Sequence, residues 1–244
     1  MKASICIITY NHEQWIADAV DSALMQVADF DFEIIIGEDC STDGTAEIVQ
    51  QYQRNHPDKI RVVRSCKNLG LTTNVKRTLE SCTGEYIGIL SGDDFWNHQT
   101  KLQQQVDFLD ANENYSASYT QANVEFHGHL DKRLLTHYAP EKASYTHDDV
   151  VSGAFMPAAS SLLFRKNLIL PLPSWFLRIE YGDTAMRGML AKHGDLHCLP
   201  TKATTYRCNN WGAWQKIREQ GKAHLKQASE TIQRHLATYQ PITA

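Results

Sequence analysis

Over the first 110 or so residues, short apolar runs that end in polar turns alternate four times with stretches of helical periodicity. Ala3–Ile8 reads as a strand, and Asn11 with Gln14 three positions on has the form of a capping box, placing Trp15, Ala19, Ala23 and Leu24 on one helical face. Phe32–Ile36 predicts a second strand and Thr45–Asn55 a second helix carrying Ile48, Val49 and Tyr52. Ile60–Arg64 predicts a third strand, and a helix through Val75 and Leu79 to Ser81 leads into the run Tyr86–Leu90. Such alternation implies an α/β fold, a largely parallel sheet covered on both faces with right-handed crossovers. Open parallel sheets bind ligands beyond the carboxyl ends of their strands, which here would gather Thr9, Tyr10, Asn11, Asp39, Asp93 and Asp94.

The fourth run stops in Ser91-Gly92 and two adjacent carboxylates, Asp93 and Asp94. The next helix is predicted to start near His98 with Asn97 as its cap and Leu102, Val106 and Leu109 on one face, so neither Asp is needed for capping. Two like charges so close are costly unless a cation or a set of donors compensates them. A divalent metal on a phosphate-bearing substrate is the sharper reading; a solvated acidic loop is the plainer one. The first turn, Thr-Tyr-Asn-His-Glu-Gln, lacks the glycines that let a backbone approach a pyrophosphate, which argues against a dinucleotide-binding domain.

Of 244 residues, 42% are hydrophobic and 21% charged, and the formal net charge is -4. That balance argues against a general nucleic-acid binder, so no nucleic-acid partner is expected. The apolar start is too short for a signal peptide, and no stretch approaches the roughly 20 apolar residues that cross a bilayer. A cytoplasmic protein, or one attached at the inner face of the cell membrane, is expected. The six cysteines show no CxxC pair and no zinc spacing, which suits reduced thiols.

Beyond Asn112 the rhythm changes. Tyr115–Thr120 and Ala158–Phe164 read as strands around an irregular stretch containing His127-Gly-His129, a candidate acceptor loop. Leu168–Leu177 is apolar and twice interrupted by Pro, so Trp175 and Phe176 are expected in an exposed loop. Gly182-Asp183 heads a predicted helix with Ala185, Met186, Met189 and Leu190. A short strand near 195–199 and a segment at 204–207 follow, and Trp214–Tyr239 reads as one helix or two, able to bury Ile217, Leu225, Ile232 and Leu236. The apolar loop and the basic residues Lys216, Arg218, Lys222, Lys226 and Arg234 together suggest peripheral contact with an anionic membrane; packing of that loop onto the domain, or a dimer seam, is the competing reading.

Ile7-Ile8-Thr9-Tyr10-Asn11, Glu33-Ile-Ile-Ile-Gly-Glu-Asp39-Cys-Ser41-Thr-Asp43-Gly44, Asn68-Leu-Gly70 with Asn74, and Gly84 through Asp94 resemble the family 2 glycosyltransferases. The resemblance implies a GT-A-like, Rossmann-related fold with a C-terminal helical extension. It assigns 1–210 to catalysis, with 1–112 the nucleotide-binding half and 113–210 the acceptor-binding half, and 211–244 to the extension. It implies an inverting, Mg2+- or Mn2+-dependent enzyme moving sugar from a nucleoside-diphosphate sugar, UDP or dTDP, to a glycan or lipid-linked oligosaccharide. In that pattern Thr9, Tyr10 and Asn11 line the nucleoside pocket, Asp39 reads the base imide, Asp93 faces ribose or sugar, and Asp94 holds the metal. The third helix offers Asn74, Lys76 or Arg77 to the nucleotide, Asp183 is the base, and Arg207 either lies beside the diphosphate or forms an ordinary surface ion pair.

Glu38 and Ser91-Gly92 depart from the commoner motifs, and Cys208-Asn209-Asn210-Trp211-Gly212 stands where many relatives have a histidine. Asp183 could instead be a helix cap, with Glu180 a nearby substitute base, and Asp43 fits a turn role better than Asp39 does. Trp211 and Trp214 could stack on an acceptor sugar or fill space behind the last helix. Two other functions compete: a nucleotidyltransferase, disfavoured by the glycine-free loop containing Glu13, and a catalytically inactive nucleotide-sugar binding protein.

Overall fold

The computed structural model describes residues 1–126, 129–130, 142–153, 157–208 and 213–240, with backbone alone for most of 213–225. His127, Gly128, Trp211 and the side chain of Trp214 therefore lie outside the described residues, as do the side chains of Ile217, Leu225, Lys216, Arg218 and Lys222.

The chain runs β1 (Ala3–Thr9), α1 (Ile16–Leu24), β2 (Phe32–Glu38), α2 (Thr45–Asn55), β3 (Ile60–Arg64), α3 (Leu71–Ser81), β4 (Tyr86–Ser91), β5 (Phe95–Trp96) and α4 (Lys101–Ala111). It continues through β6 (Tyr115–Phe126), β7 (His129–Leu130), β8 (Ser144–Tyr145), α5 (His147–Val151), β9 (Leu163–Arg165), α6 (Gly182–Ala191), β10 (Asp195–Cys208) and α7 (Ala213–Thr238). One sheet has the order β3-β2-β1-β4-β9-β6-β10-β5, with β9 and β5 antiparallel to their neighbours and the other six strands parallel. This mostly parallel sheet, flanked by helices and closed by α7, is the expected α/β, GT-A-like architecture.

Every residue of β1 is buried, as a central parallel strand covered on both faces requires. Alternation divides its neighbours between two cores. Ile5, Ile7, Ile34 and Ile36 pack with Ile16, Val20, Val49, Leu102 and Val106 on one face. Cys6, Ile35, Leu79 and Ile87 pack with Phe164, Met186, Leu190 and Leu236 on the other. The end of α7 thus enters the second core, and it approaches α6 so closely that a Cβ on Gly188 would lie 2.3 Å from Leu236 Cδ1. Lys192 Nζ donates to the Leu236 and Tyr239 carbonyls, closing that helix end.

Several local expectations are corrected. α1 begins at Ile16 rather than beside Asn11, because Asn11 adopts φ 56° and its side-chain oxygen accepts from the Thr42 N–H (2.8 Å). α4 begins at Lys101 rather than near His98, because Phe95–Trp96 forms β5 against Thr204 and Thr205. The segments near 195–199 and 204–207 are one continuous strand, and Ala159–Ser161 is a 3-10 turn before β9. Leu168–Leu177 is not an exposed apolar loop: Ile169, Leu172 and Phe176 are buried, and Trp175 stacks on His235 with ring centroids 5.0 Å apart. Phe176 is buried and Trp175 lies against α7, so this pair is not presented to a membrane surface, although Leu177 beside it is exposed.

Candidate active site

The loops after β1, β2 and β4 are bonded into one rim. The Asp39 N–H donates to the Thr9 carbonyl (3.2 Å) and the Gly92 N–H to the Ile8 carbonyl (2.8 Å). Gly92 sits so tightly on the first loop that a Cβ there would lie 2.7 Å from both Thr9 Oγ1 and His12 Nδ1. Glycine is therefore what lets the β1 and β4 loops touch.

Asp39 is buried, and its carboxylate accepts from the Leu69 N–H (3.0 and 3.1 Å) and the Gly70 N–H (2.9 Å), with Arg77 Nη2 3.8 Å away. It thereby ties its own loop to the turn that opens α3. Arg77 Nη2 also donates to the Glu38 carbonyl (2.6 Å), and Asn74 Nδ2 to the Gly37 carbonyl (2.9 Å) and at 3.5 Å to that of Thr9. Asn74 and Arg77 lie in the same corner as Thr9 and Asp39; Lys76 instead pairs with Glu80 one turn on. Tyr10 is exposed at the rim. Asp43 has the turn role, accepting from the Thr45 and Glu13 N–H groups (3.0 and 3.1 Å); burial raises its carboxyl, but these bonds outweigh burial and leave it below the usual range. The buried Glu38 accepts from the Ser41 N–H (2.6 Å), which shapes the turn in which Cys40 takes φ 60°.

The two central aspartates are not equivalent. Asp93 is half-buried and accepts from Ser91 Oγ. Asp94 is buried, with Oδ2 accepting from Ser160 Oγ and Oδ1 from the Arg207 N–H (2.8 Å). Burial, and then the charge of Asp93, push the Asp94 carboxyl well above the usual carboxylate range, which the Ser160 and Arg207 bonds only partly offset. Beside them the Cys208 thiol is pushed up to about 11 by burial and then by the two Asp charges, which keeps it a neutral thiol. Among the described residues no group of three or more His, Cys, Asp and Glu side chains stands ready for an ion. A pair of hard carboxylates nonetheless fits Mg2+ or Mn2+, since such ions are commonly held by one or two carboxylates while substrate phosphates and water complete the shell.

Arg207 Nη2 lies 2.6 Å from Asp18 Oδ2, its Nε 3.4 Å from Glu125 Oε2, and its guanidinium 4.6 Å from the Phe95 ring centroid. It adjoins the acidic loop but is committed to two carboxylates. Asp183 lies in the first turn of α6, whose N-cap position is Tyr181 with no side-chain capping bond, so the cap reading does not describe it. It is half-exposed and pairs with the buried Arg187 (Oδ2 to Nη1, 3.3 Å), which also donates to the Pro157 carbonyl (3.3 Å). Pro157 begins the segment that delivers Ser160 to Asp94, so a short continuous stretch joins Asp183 to the acidic pair. Glu180 is engaged elsewhere, 2.6 Å from His224 Nε2. Ser160, Asp18 and Glu125 had no signal in the sequence: a serine among small residues and acids on a helix and a strand have no distinctive spacing.

A parallel sheet whose first, second and fourth strands present this acidic rim defines a GT-A-type glycosyltransferase fold. The sequence model for glycosyl transferase family 2 matches residues 4–169, and the chain belongs to that family. It is 27% identical over 219 residues to an uncharacterized protein of Mycobacterium tuberculosis (strain ATCC 25618 / H37Rv), covering 86% of this chain and 60% of that relative, so the chain spans less than two thirds of it. It is 29% identical over 248 residues to TuaG of Bacillus subtilis, named for glycosyl transfer in teichuronic acid biosynthesis, covering 93% of this chain and 92% of the relative. In three dimensions it resembles the mannosyltransferase PcManGT of Pyrobaculum calidifontis, solved with GDP-Man and Mn2+ (TM-score 0.74, 20% identity, 99% of this chain and 66% of that one). It also resembles Staphylococcus aureus TarS solved with UDP-GlcNAc (TM-score 0.65, 19% identity, 88% and 61%). At such identities these structures speak to the fold.

Proposed function

We propose that this chain is an inverting glycosyltransferase that moves a sugar from a UDP- or dTDP-sugar to a hydroxyl of a cell-surface glycan or lipid-linked oligosaccharide. The observation that carries this reading is the bonded rim, in which Asp39 reaches Thr9 and Gly92 reaches Ile8 beneath the Asp93–Asp94 pair. Thr9, Tyr10, Asn11, Asp39, Asn74 and Arg77 bind the nucleoside, and Asp93 with Asp94 serves the sugar and the divalent ion. Residues 1–112 form the donor half, 113–210 the acceptor half, and 211–244 the helical extension. TuaG, with its teichuronic acid name, supports a cell-surface acceptor. Use of a nucleotide sugar places the reaction in the cytoplasm, and a lipid-linked acceptor places it at the inner membrane face.

In the transfer step the acceptor oxygen attacks the anomeric carbon while its proton passes to Asp183. The bond from that carbon to the diphosphate breaks, and the nucleoside diphosphate leaves with the electron pair. Arg187 holds Asp183 in place from the next helical turn. A bound divalent ion supplies charge neutralisation on the departing diphosphate. Asp39 contributes before chemistry, by keeping the Leu69–Gly70 turn against its own loop so that the nucleoside corner is formed in advance. Among the described residues no helix is long and apolar enough to cross a membrane. Exposed Lys226 and Arg234 on α7 are what supports peripheral contact with anionic lipid.

A donor panel incubated with a lipid-linked acceptor extract and read by mass spectrometry tests the reading. A mass gain of one hexose-type unit from a UDP- or dTDP-sugar is expected. No transfer from any donor, together with pyrophosphate release when a nucleoside triphosphate and a sugar 1-phosphate are supplied instead, would favour the nucleotidyltransferase.

A further inference from the structure

We infer that Asp18 on α1 and Glu125 on β6 form a positioning pair that holds the acidic loop through Arg207, an assignment that rests on reading Asp93 and Asp94 as donor-site residues. Five contacts meet at this arginine. Its Nη2 is 2.6 Å from Asp18 Oδ2 and its Nε 3.4 Å from Glu125 Oε2. The guanidinium lies 4.6 Å from the Phe95 ring centroid, Nη1 reaches the Asp93 carbonyl at 3.5 Å, and the main-chain N–H donates to Asp94 Oδ1 at 2.8 Å. One residue near the end of the sheet therefore touches both members of the acidic pair and the aromatic ring that follows them.

What fixes Arg207 comes from opposite parts of the chain. Asp18 lies 189 residues before it on a helix of the nucleotide half, whereas Glu125 stands on the strand that pairs with β10. A planar guanidinium gripped along two edges by carboxylates and covered on its face by an aromatic ring has its orientation set. With that orientation goes the placement of its own N–H, the donor that Asp94 Oδ1 accepts. The charge pattern points the same way. The Asp18 and Glu125 carboxylates both pair with the guanidinium, while Asp94 meets the residue at its main-chain N–H and Asp93 through its carbonyl oxygen, so the positive charge is compensated before any diphosphate arrives. Its side chain is 14% exposed, so it acts as a brace for the loop and not as a free anion receptor.

The pair with Asp18 is half-exposed on the acid's side, and ion pairs of that kind contribute little to global stability. This separates positioning from folding. Hydrogen–deuterium exchange of the full chain, followed over residues 91–96 in the wild type, Asp18→Asn, Asp18→Glu and Glu125→Gln, tests the inference. In Asp18→Asn, exchange over 91–96 is expected to rise about fivefold or more while β1 and β2 stay at wild-type rates. The melting temperature should stay within about 2 °C of wild type. Glu125→Gln should give a smaller rise at 91–96, and Asp18→Glu should restore wild-type exchange. Donor turnover should show kcat down about tenfold in Asp18→Asn, with the donor KM changed less than twofold. Unchanged exchange over 91–96 in Asp18→Asn overturns the inference, as does a rise spread over the whole chain with a fallen melting temperature. If the wild type transfers no sugar from any donor, the functional reading fails, while the exchange comparison still decides whether Asp18 holds the loop.

Discussion

Ser160 Oγ donates to Asp94 Oδ2 across 66 residues of chain, and the same Oγ accepts from the Ser91 N–H (3.0 Å). One hydroxyl thus links the end of β4 to the acid that follows it. The Ser160 carbonyl accepts from Trp96 Nε1 (2.7 Å), and the Ser161 carbonyl from Gln105 Nε2 (3.1 Å), so the short turn is anchored on both sides. Replacing Ser160 with Ala leaves Asp94 Oδ2 and the Ser91 N–H without this partner in a buried site. The expected loss is about 1–3 kcal/mol of stability, read from urea unfolding midpoints; an unchanged midpoint would show that water replaces the hydroxyl.

Asp94 itself should cost stability at neutral pH. Its folded-state carboxyl titrates well above its unfolded value, so the native state binds more protons through that window and loses stability as pH rises across it. Asp94→Asn cannot ionise, and its amide can still accept from the Arg207 N–H. The variant should become progressively more stable than wild type between acid and neutral pH, yet transfer sugar about a hundredfold or more slowly. Parallel unfolding curves at pH 4 and pH 7 with the same difference at both would contradict the assignment.

Lys101 offers the opposite slope. It is wholly buried, with Nζ 2.5 Å from Gln105 Oε1 and 3.9 Å from the Trp96 ring centroid, and burial lowers its pKa well below the ordinary lysine value. The unfolded chain then binds the extra proton, so stability should rise with pH up to the ordinary lysine range. Lys101→Met should remove that rise, which thermal melts from pH 7 to pH 10 would show. A wild-type melting temperature flat across that range would contradict it.

Asp39→Ala removes a carboxylate and also the acceptor for two N–H groups of the α3 turn. Affinity for free uridine or thymidine diphosphate should fall about tenfold or more, with discrimination among donor sugars preserved. Titration calorimetry giving wild-type affinity would remove Asp39 from the nucleoside site.

The alternating half of the fold was legible because its central strands β1 and β2 are almost wholly buried and read as apolar runs; at the edge β3 still matches its expected limits although only Ile60 in it is buried, and α2 runs Thr45–Asn55 as its pattern indicated. What was misread depended on partners distant in sequence. Asn11 and Asn97 both resemble helix caps, but Asn11 binds Thr42, and the chain around Asn97 is occupied by β5, whose partners lie more than 100 residues later. Leu168–Leu177 has the composition of a surface-docking loop, and composition does not say which apolar surface covers it; the end of α7 covers Trp175, and the shared core takes Ile169, Leu172 and Phe176. The site shows the same division. Adjacent acids at a strand end can be found locally, whereas Ser160 and the Arg207 brace emerge only when the sheet brings β4, β6 and β10 together.

The most direct test compares sugar transfer by the wild type and Asp183→Asn, with nucleoside-diphosphate affinity measured on the same preparations. The predicted result is wild-type transfer from a UDP- or dTDP-sugar with inverted anomeric configuration, and a variant that binds the nucleotide equally well but transfers about a hundredfold or more slowly. Equal transfer rates in the two proteins, or a product that retains the donor's configuration, would contradict the account.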